Sequence, residues 1–470
     1  MPPAVQSPLV LALALALAVF FALRTLTSWV KGLQLLTVAV TFGGILGARI
    51  GSTPFPIALR DIAIVLPLYG VFFLTKTGSR ALRAVPVDLA LGVCAFAAWL
   101  GICLFNPNGV AALRMLIGLK VWAFYVPLMV VGIALGQRPE ALFRVLRALL
   151  LCGLVACGVG LLQALLIRII GYHAAIDLFF GEAGKAVTQG YSRFSVGGGI
   201  YRIPGTFSFT SQYVSFLFLF LTAAVIVSNS DPDPRYQRIG RIAFYVGLLA
   251  GLFSGTKGAF LMFPLYGLAF AAFGLVRGRL LVVAPVAIAA TLWAITSAGL
   301  DPLGLASFGA EQAEMYGRGF VVQQVDDAVR HGAIGEGIGS STSAARFATV
   351  GASSETQLGF ESYFAKAAAE LGTVGFVVIA TLLLIILFHA SLLALRHWGR
   401  ESNRILAPLA IYVVYVVITC LKGAALDTDP TNIFFWLSLG VLCNCGRATE
   451  PDTVKSLDHG PPSAAKGAQV

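Results

Sequence analysis

The chain has 470 residues, of which 58% are hydrophobic and 12% are charged, and its formal net charge is +11. A soluble domain carries roughly 25% charged residues, so lipid must surround most of this chain. A basic balance can indicate nucleic-acid binding, but here the basic residues collect in short segments between apolar runs, which is the pattern of membrane proteins and argues against a nucleic-acid partner.

The apolar runs predict an all-α fold, a polytopic transmembrane protein of about 12 helices, with about 11 to 13 as the range. The range is open because Arg24 and Lys31 interrupt the first two runs. The predicted spans are 8–23, 33–48, 58–75, 87–104, 112–136, 145–169, 210–228, 241–255, 258–276, 280–297, 368–392, 405–422 and 431–446.

The loops between these runs alternate in basic charge, which predicts their sides. The basic loops are expected in the cytoplasm and contain Lys76, Arg80, Arg83, Arg138, Arg144, Arg235, Arg238, Arg241, Arg277, Arg279, Arg396, Arg400 and Arg404. The alternate loops are expected in the periplasm, including the long loops 171–209 and 298–366, the second with a helix near 316–331. Residues 1–446 therefore read as one transmembrane domain, and 447–470 as a disordered cytoplasmic tail.

Four polar segments on the predicted external side carry groups that suit phosphate and sugar chemistry. Charges in or beside membrane helices are expensive and point to function. Arginine binds a diphosphate well because its planar fork donates two charge-assisted hydrogen bonds, and a carboxylate can remove a proton from a sugar hydroxyl. The segments are Tyr201–Phe207, Ser254–Gly258, Tyr316–Arg318 with Gly335–Gly339, and Glu361–Tyr363 with Glu370–Gly375.

Each charged candidate also has a structural interpretation. Arg202 and Arg318 could bind lipid head groups or a loop carboxylate. Lys257 could lie at the membrane interface with its ammonium group in water. Glu361 could cap the N-terminus of a helix through the helix dipole. The residue types alone therefore leave both interpretations open.

Other patterns are interpreted as structural. The G-x-G-x-G stretch of Gly335, Gly337 and Gly339 is not embedded in a strand–helix unit, so it predicts a tight backbone turn and no nucleotide site. Asp427-Thr428-Asp429 is expected to be a loop, because nucleotide sugars are scarce on the predicted external side. The isolated histidines and the cysteines in apolar runs predict no metal site and no disulfide framework.

In order, spacing and side, these segments resemble the O-antigen ligase and O-antigen polymerase superfamily of bacterial envelope proteins, over roughly residues 110–446. Arg202–Phe207 is similar to the family's Arg, Gly, Phe stretch opening a span. Phe253–Ala259 resembles its Ser-x-x-Arg-Gly-Ala segment, with Lys257 replacing the arginine. Arg318 with the downstream glycines resembles the large-loop pattern, and Glu370–Gly375 resembles the closing Glu-Leu-Gly-x-x-Gly.

The resemblance implies a metal-independent, inverting glycosyltransferase of the bacterial inner membrane that needs no cofactor. Its donor would be an undecaprenyl-diphosphate-linked glycan, its active site would face the periplasm, and a flippase and a chain-length regulator would be partners beside membrane lipids. Arg202 and Arg318 match the arginines thought to hold the diphosphate. Ligases commonly carry a histidine where this chain has Glu361, which favours a polymerase with Glu361 as the base.

We therefore expect a polymerase that transfers a glycan onto a lipid-linked repeat unit of O-antigen or exopolysaccharide. Arg202, Arg318 and Lys257 would hold the donor diphosphate, and Glu361, Arg202 and Arg318 would be catalytic. A ligase acting on lipid A-core or protein is the alternative within this class. An anion transporter, for which Arg114 and Lys120 would be the relevant charges, and a non-catalytic assembly partner are alternatives of other classes.

Overall fold

The computed structural model describes residues 8–50, 54–108, 110–188, 201–276, 320–341 and 362–447. Within these residues every regular element is a helix. The helices are α1 (Pro8–Thr27), α2 (Trp29–Ile50), α3 (Pro54–Arg60), a π-helical turn (Asp61–Val65), α4 (Leu66–Phe73), α5 (Lys76–Arg83), α6 (Val87–Cys103), α7 (Ala112–Ala123), α8 (Leu128–Gly136), α9 (Pro139–Ile170), α10 (Tyr172–Thr188), α11 (Thr210–Ser230), α12 (Pro234–Leu252), α13 (Lys257–Ala272), α14 (Phe320–Arg330), α15 (Tyr363–Arg396), α16 (Asn403–Lys422), a 3-10 turn (Ala425–Asp427) and α17 (Thr431–Arg447).

The all-α prediction is confirmed, and the chain is a membrane protein with several apolar helices long enough to span a bilayer. Among the described residues six stretches reach that length and apolarity, or seven if the bent pair Ile57–Phe73 and Lys76–Arg83 is one span. The six are Trp29–Arg49, Ala112–Gly136, Pro139–Ile170, Thr210–Ser230, Tyr363–Arg396 and Asn403–Lys422. The total of about 12 stays a prediction, because apolar helices such as Val87–Cys103 are shorter and the predicted span 280–297 lies outside the described residues.

Two predicted loops contain helices that hydropathy did not reveal. Residues 76–83 form α5 at an angle of 83° to the preceding helix, and the predicted loop 171–209 begins with α10. Both helices mix polar and apolar residues over a short length, so neither gives a long apolar run. The Arg49 side chain donates hydrogen bonds to the carbonyls of Leu178 and Phe179 and so ties α10 to α2. Helix α14 lies within the range predicted for it.

Side-chain contacts identify which helix ends lie together. Arg138 donates to the Thr77 hydroxyl at 3.0 Å, and its guanidinium lies 5.8 Å from the centroid of the Trp29 ring. Arg147 makes two hydrogen bonds to the carboxylate of Asp231, at 2.9 and 2.6 Å. We call this end of the bundle the basic end. The opposite end, where Thr206 accepts from the backbone of Ile45 at 3.0 Å, is called the site end.

Glycines permit a close approach of the backbones of α8 and α17 in the core. A Cβ added to Gly440 would overlap the carbonyl oxygen of Met129 and lie 2.8 Å from the amide nitrogen of Ile133. A Cβ on Gly132 would overlap the carbonyl oxygen of Leu437. Lipid supplies no hydrophobic force between helices, so such backbone contact is a main source of their association.

We expect Gly440→Val to destabilise the protein by about 1–3 kcal/mol, because the added atoms would push α8 and α17 apart. Gly158→Val is the matched control, since Gly158 also lies inside a long helix and a Cβ there meets nothing within 4 Å. Thermal unfolding in detergent, followed by size-exclusion chromatography, measures both. Equal melting temperatures for the two variants would contradict the close contact.

Candidate functional site

The segment that carries Arg202 is fixed to three neighbouring elements at the site end. The amide of Ile203 donates to the Ser254 carbonyl at 3.0 Å, in the short link between α12 and α13. The Gln163 side chain on α9 bonds both the amide and the carbonyl of Gly205, at 3.0 and 2.8 Å. The first and second polar segments of the sequence are therefore in contact.

Gly255 makes this contact possible. Its φ of +71° lies in the left-handed region that favours glycine. A Cβ at this position would overlap the Tyr201 carbonyl and lie 3.1 Å from the Cα of Arg202. The backbone of the Arg202 segment thus rests directly on the backbone of the link, which ends where Lys257 begins α13.

Several buried polar groups in the Arg202 segment and in the link it touches have no hydrogen-bond partner among the described residues. The Nε of Arg202 is buried without one, although the residue as a whole is partly exposed. The hydroxyls of Thr206, Ser254 and Thr256 are likewise buried and unpaired, and Thr206 and Ser254 are 0% exposed. Buried polar groups are normally paired, so several unpaired donors in two touching segments, one of which carries a cation, indicate a place where acceptor oxygens of a ligand could bind.

The Gly335–Gly339 part of the third polar segment and the Glu370–Gly375 part of the fourth also form one unit, centred on a break in α15. Gly372 has a φ of +71° and interrupts the helix, which frees carbonyl groups of the preceding turn. The amides of Glu336 and Gly337 donate to the carbonyls of Ala369 and Glu370 at 2.8 and 3.2 Å. The loop Gly332–Ser341, here called the glycine loop, therefore replaces the missing helical hydrogen bonds.

The Glu370 carboxylate anchors the glycine loop. One oxygen accepts hydrogen bonds from the Trp122 indole at 2.7 Å and the Gly339 amide at 3.0 Å. The other accepts from the Ser341 amide at 3.0 Å and its hydroxyl at 2.9 Å. Glu370 is 0% exposed, and four donors compensate the burial of its charge. This carboxylate is structural, whereas sequence reasoning placed it in a motif without assigning it a role.

All three glycines predicted to shape the loop adopt positive φ, namely +68° for Gly335, +105° for Gly337 and +88° for Gly339. A Cβ on Gly335 would lie 2.5 Å from the Gly372 amide nitrogen, and one on Gly339 would overlap the carbonyl of Arg114. The loop is thus pressed against α15 on one side and against the start of α7 on the other.

A buried ion network lies beside this unit. Asp61 pairs with Arg60 at 2.8 Å and with Lys120 at 2.6 Å, and it accepts a hydrogen bond from the Tyr125 hydroxyl at 2.8 Å. Arg60 also pairs with Asp429 at 2.7 Å. The network joins the π-helical turn to α7 and to the loop before α17. Buried charges need such pairing, because an isolated ion in low dielectric is strongly unfavourable.

A second buried pair connects the network to the Glu370 anchor. Lys366 on α15 pairs with Asp427, and these side chains are 3% and 2% exposed. The Lys366 ammonium also lies 4.7 Å from the centroid of the Trp122 ring, whose indole donates to Glu370. Asp427 and Asp429 do lie in a connecting segment as predicted, but both carboxylates hold buried cations.

Sequence reasoning missed the ion network for an identifiable reason. Arg60 and Asp61 sit at the edge of an apolar run and cancel in a net-charge count, so the span containing them looks uniformly apolar. The signal that could have revealed them is the adjacent pair of opposite charges inside a predicted span. Among the described residues, no group of three or more His, Cys, Asp or Glu is placed to hold a metal ion.

The predicted catalytic set is described only in part. Arg202 and the glycine loop have the contacts given above, whereas Arg318 and Glu361 lie outside the described residues, as does the Lys257 side chain. Ser362, which follows Glu361 directly, is buried, and its hydroxyl accepts from the Phe364 amide at 3.2 Å as the N-cap of α15. Whether Arg202, Arg318 and Glu361 share one cavity stays a prediction.

Glu370→Gln should loosen the glycine loop, because the new amide group faces at least one N–H that then has no acceptor. Each unsatisfied buried donor costs about 1–3 kcal/mol, so amide exchange in residues 332–341 should accelerate roughly 5- to 100-fold. Hydrogen–deuterium exchange with mass spectrometry measures it. Glu336→Gln is the control, since Glu336 lies in the same loop but its side chain is 47% exposed. Identical exchange in both variants would refute the anchoring role.

Lys366→Met should destabilise the fold by about 3–5 kcal/mol, because it leaves the Asp427 carboxylate buried without its cation. The double substitution Lys366→Met with Asp427→Leu removes both charges, and we expect it to recover most of that loss. Thermal unfolding of both variants in detergent provides the comparison. A double variant no more stable than Lys366→Met would show that the pair is not the source of the effect.

Compared with models of known protein families and with curated protein sequences, the chain gives no match. Its interpretation therefore rests on the contacts of its own residues and on the order of its polar segments.

Proposed function

We propose that this protein is a polymerase of surface polysaccharide, transferring a glycan from an undecaprenyl-diphosphate-linked donor to a lipid-linked repeat unit. One observation carries the proposal: Arg202 is partly exposed with a buried Nε, and neither this Nε nor the buried hydroxyls of Thr206, Ser254 and Thr256 in the same pair of touching segments has a hydrogen-bond partner among the described residues. A diphosphate supplies the acceptor oxygens that such donors need, and its negative charge matches the guanidinium.

We place the protein in the bacterial inner membrane, with about 12 helices, within a range of about 11 to 13, and with the site end in the periplasm. The basic end supports this orientation, because loops rich in lysine and arginine are retained in the cytoplasm. A large periplasmic loop over 298–366 would then carry Arg318 and Glu361 on the same side as Arg202.

In the proposed reaction, the acceptor hydroxyl oxygen forms a bond to the anomeric carbon of the donor glycan while the bond from that carbon to the diphosphate oxygen breaks. Glu361 takes the proton of the hydroxyl. Arg202 and Arg318, with Lys257, stabilise the negative charge that grows on the lipid diphosphate. The leaving group is already activated, so the proposal includes no metal and no cofactor.

The glycine loop and α15 support the proposed base by fixing the chain on either side of it. Ser341 is held by Glu370, and Ser362 is buried at the start of α15. Residues 342–361 thus connect two anchored points at the site end. Holding reacting groups in a narrow range of positions contributes substantially to catalysis.

A ligase would use the same donor site and differ only in its acceptor. Glycan appearing on lipid A-core or on protein in reconstituted membranes would favour it over a polymerase. Extension of a lipid-linked repeat without such products would favour the polymerase.

An anion transporter is a second candidate from another class, and two observations favour it. Discontinuous helices and buried charges inside the membrane are typical of transporters. Here α15 is interrupted at Gly372, and Lys120 on α7 is paired with Asp61. Uptake of an anion by proteoliposomes in the absence of any glycan transfer would select this function.

Arg202→Ala is expected to reduce polymer synthesis at least about 100-fold, because an electrostatic contact to the leaving group is lost. Arg318→Ala should have the same effect. The control is Arg168→Ala, which removes an exposed cation from the last turn of α9, close to the segment that Gln163 holds. Chain length on gels after in vitro synthesis provides the readout. Normal long chains from both Arg202→Ala and Arg318→Ala, at normal protein levels, would overturn the proposal.

A further inference from the structure

Helix α5 is a short basic helix at the basic end that no part of the proposed reaction uses. It runs at 83° to the preceding helix, so it lies along the membrane surface if that helix crosses the bilayer. Its inner side docks through Gly78 and Ala81, which are buried. A Cβ on Gly78 would lie 2.5 Å from the Phe72 carbonyl oxygen, so the docking is a backbone contact.

The outer side of α5 carries cations and apolar side chains together. Lys76, Arg80 and Arg83 are all exposed. Leu82 is 57% exposed, and Leu74, just before the helix, is 89% exposed. Exposed leucines next to exposed basic groups match the boundary between acyl chains and phosphate groups.

A fourth cation extends this surface from a neighbouring helix. Arg138, the residue before α9, is exposed and donates to the Thr77 hydroxyl of α5 at 3.0 Å. Within the part of the chain that the structure describes, none of the four cations forms an ion pair with a carboxylate. The exposed acid on the first turn of α9 is Glu140, which pairs with none of them.

We propose that Lys76, Arg80, Arg83 and Arg138 form a binding site for the head group of an anionic phospholipid. Phosphate oxygens would accept hydrogen bonds from the N–H groups of these cations, and Leu74 and Leu82 would contact the acyl chains. The occupant is a lipid and not an acidic protein, because the cations stand beside apolar groups that must face the membrane interface. Basic clusters at the ends of membrane helices bind such head groups generally.

The test uses the full-length protein in detergent, with phosphatidylglycerol or phosphatidylcholine added before native mass spectrometry. Wild-type protein is expected to retain phosphatidylglycerol in preference to phosphatidylcholine. K76Q/R80Q/R83Q should weaken phosphatidylglycerol retention about tenfold, since three of the four cations are gone. Raising the salt concentration should weaken retention by the wild-type protein.

The matched control is R235Q/R238Q/R241Q, which removes three exposed cations from α12. We expect this control to retain phosphatidylglycerol within about twofold of wild type. An equal loss in both triple variants would mean that total charge, and not a site at α5, attracts the lipid. Unchanged retention in K76Q/R80Q/R83Q would also overturn the proposal and point to another acidic partner.

Should the triple variant fail to fold, R80Q alone against R238Q gives the same comparison with one charge each. Both replaced side chains are exposed, and the docking residues Gly78 and Ala81 are unchanged. The proposal is independent of glycosyl transfer, so loss of either idea leaves the other intact.

Discussion

The arrangement at the site end depends on one buried carboxylate. Glu370 accepts four hydrogen bonds from two separate parts of the chain, α7 and the glycine loop, and exposes none of its surface. An ionised carboxylate is tolerated in a low-dielectric interior only when donors compensate its charge. Moving those donors away would leave the charge uncompensated, so the carboxylate holds them in place. The glycine loop, the end of α7 and the outer part of α15 are thereby joined.

The ion network extends the same principle across the bundle. The adjacent residues Arg60 and Asp61 pair with each other and with Asp429 and Lys120, which lie far from them in the sequence, so each charge has an opposite neighbour. Opposite charges in apolar surroundings select one arrangement, because any slip of a helix would leave an ion unpaired. Apolar packing alone specifies helix register less strictly in lipid, because an apolar side chain makes similar contacts with a neighbouring helix and with acyl chains. Arg202 contrasts with this group, since its Nε is buried and no described residue bonds to it.

The sequence predicted the helical class and the turn-forming glycines for physical reasons that are local. Long apolar runs require helices in lipid, and a G-x-G-x-G stretch favours a turn that other residues would strain. The prediction missed what depends on contacts between distant segments. Helices α5 and α10 were missed because short amphipathic helices leave no apolar run. The partners of Asp427, Asp429 and Glu370 were missed because hydropathy carries no information on which face of one helix meets another.

The candidate site likewise contains one contact that the sequence could predict and others that it could not. Placing Arg202 near the link Ser254–Gly258 followed from the expected side of each segment, and the hydrogen bond from Ile203 to Ser254 joins these segments. The lack of partners for the Thr206, Ser254 and Thr256 hydroxyls among the described residues could not be foreseen, because these residues lie in connecting segments, where hydropathy predicts no contacts. Inside a membrane helix, by contrast, a serine or threonine hydroxyl usually bonds to the backbone of its own helix. Thr222 does so at 2.9 Å, for example.

The interruption of α15 at Gly372 has a mechanical consequence. The outer part of the helix, Tyr363–Leu371, is bonded to the glycine loop, whereas the part after the break continues as the long apolar helix. The outer part is also bonded to the surrounding membrane helices, through Trp122 on α7, through Trp99 on α6 and through the Lys366–Asp427 pair. The break is therefore a fixed bend: it turns the outer part away from the direction of the membrane helix, while bonds on several sides hold it in one position.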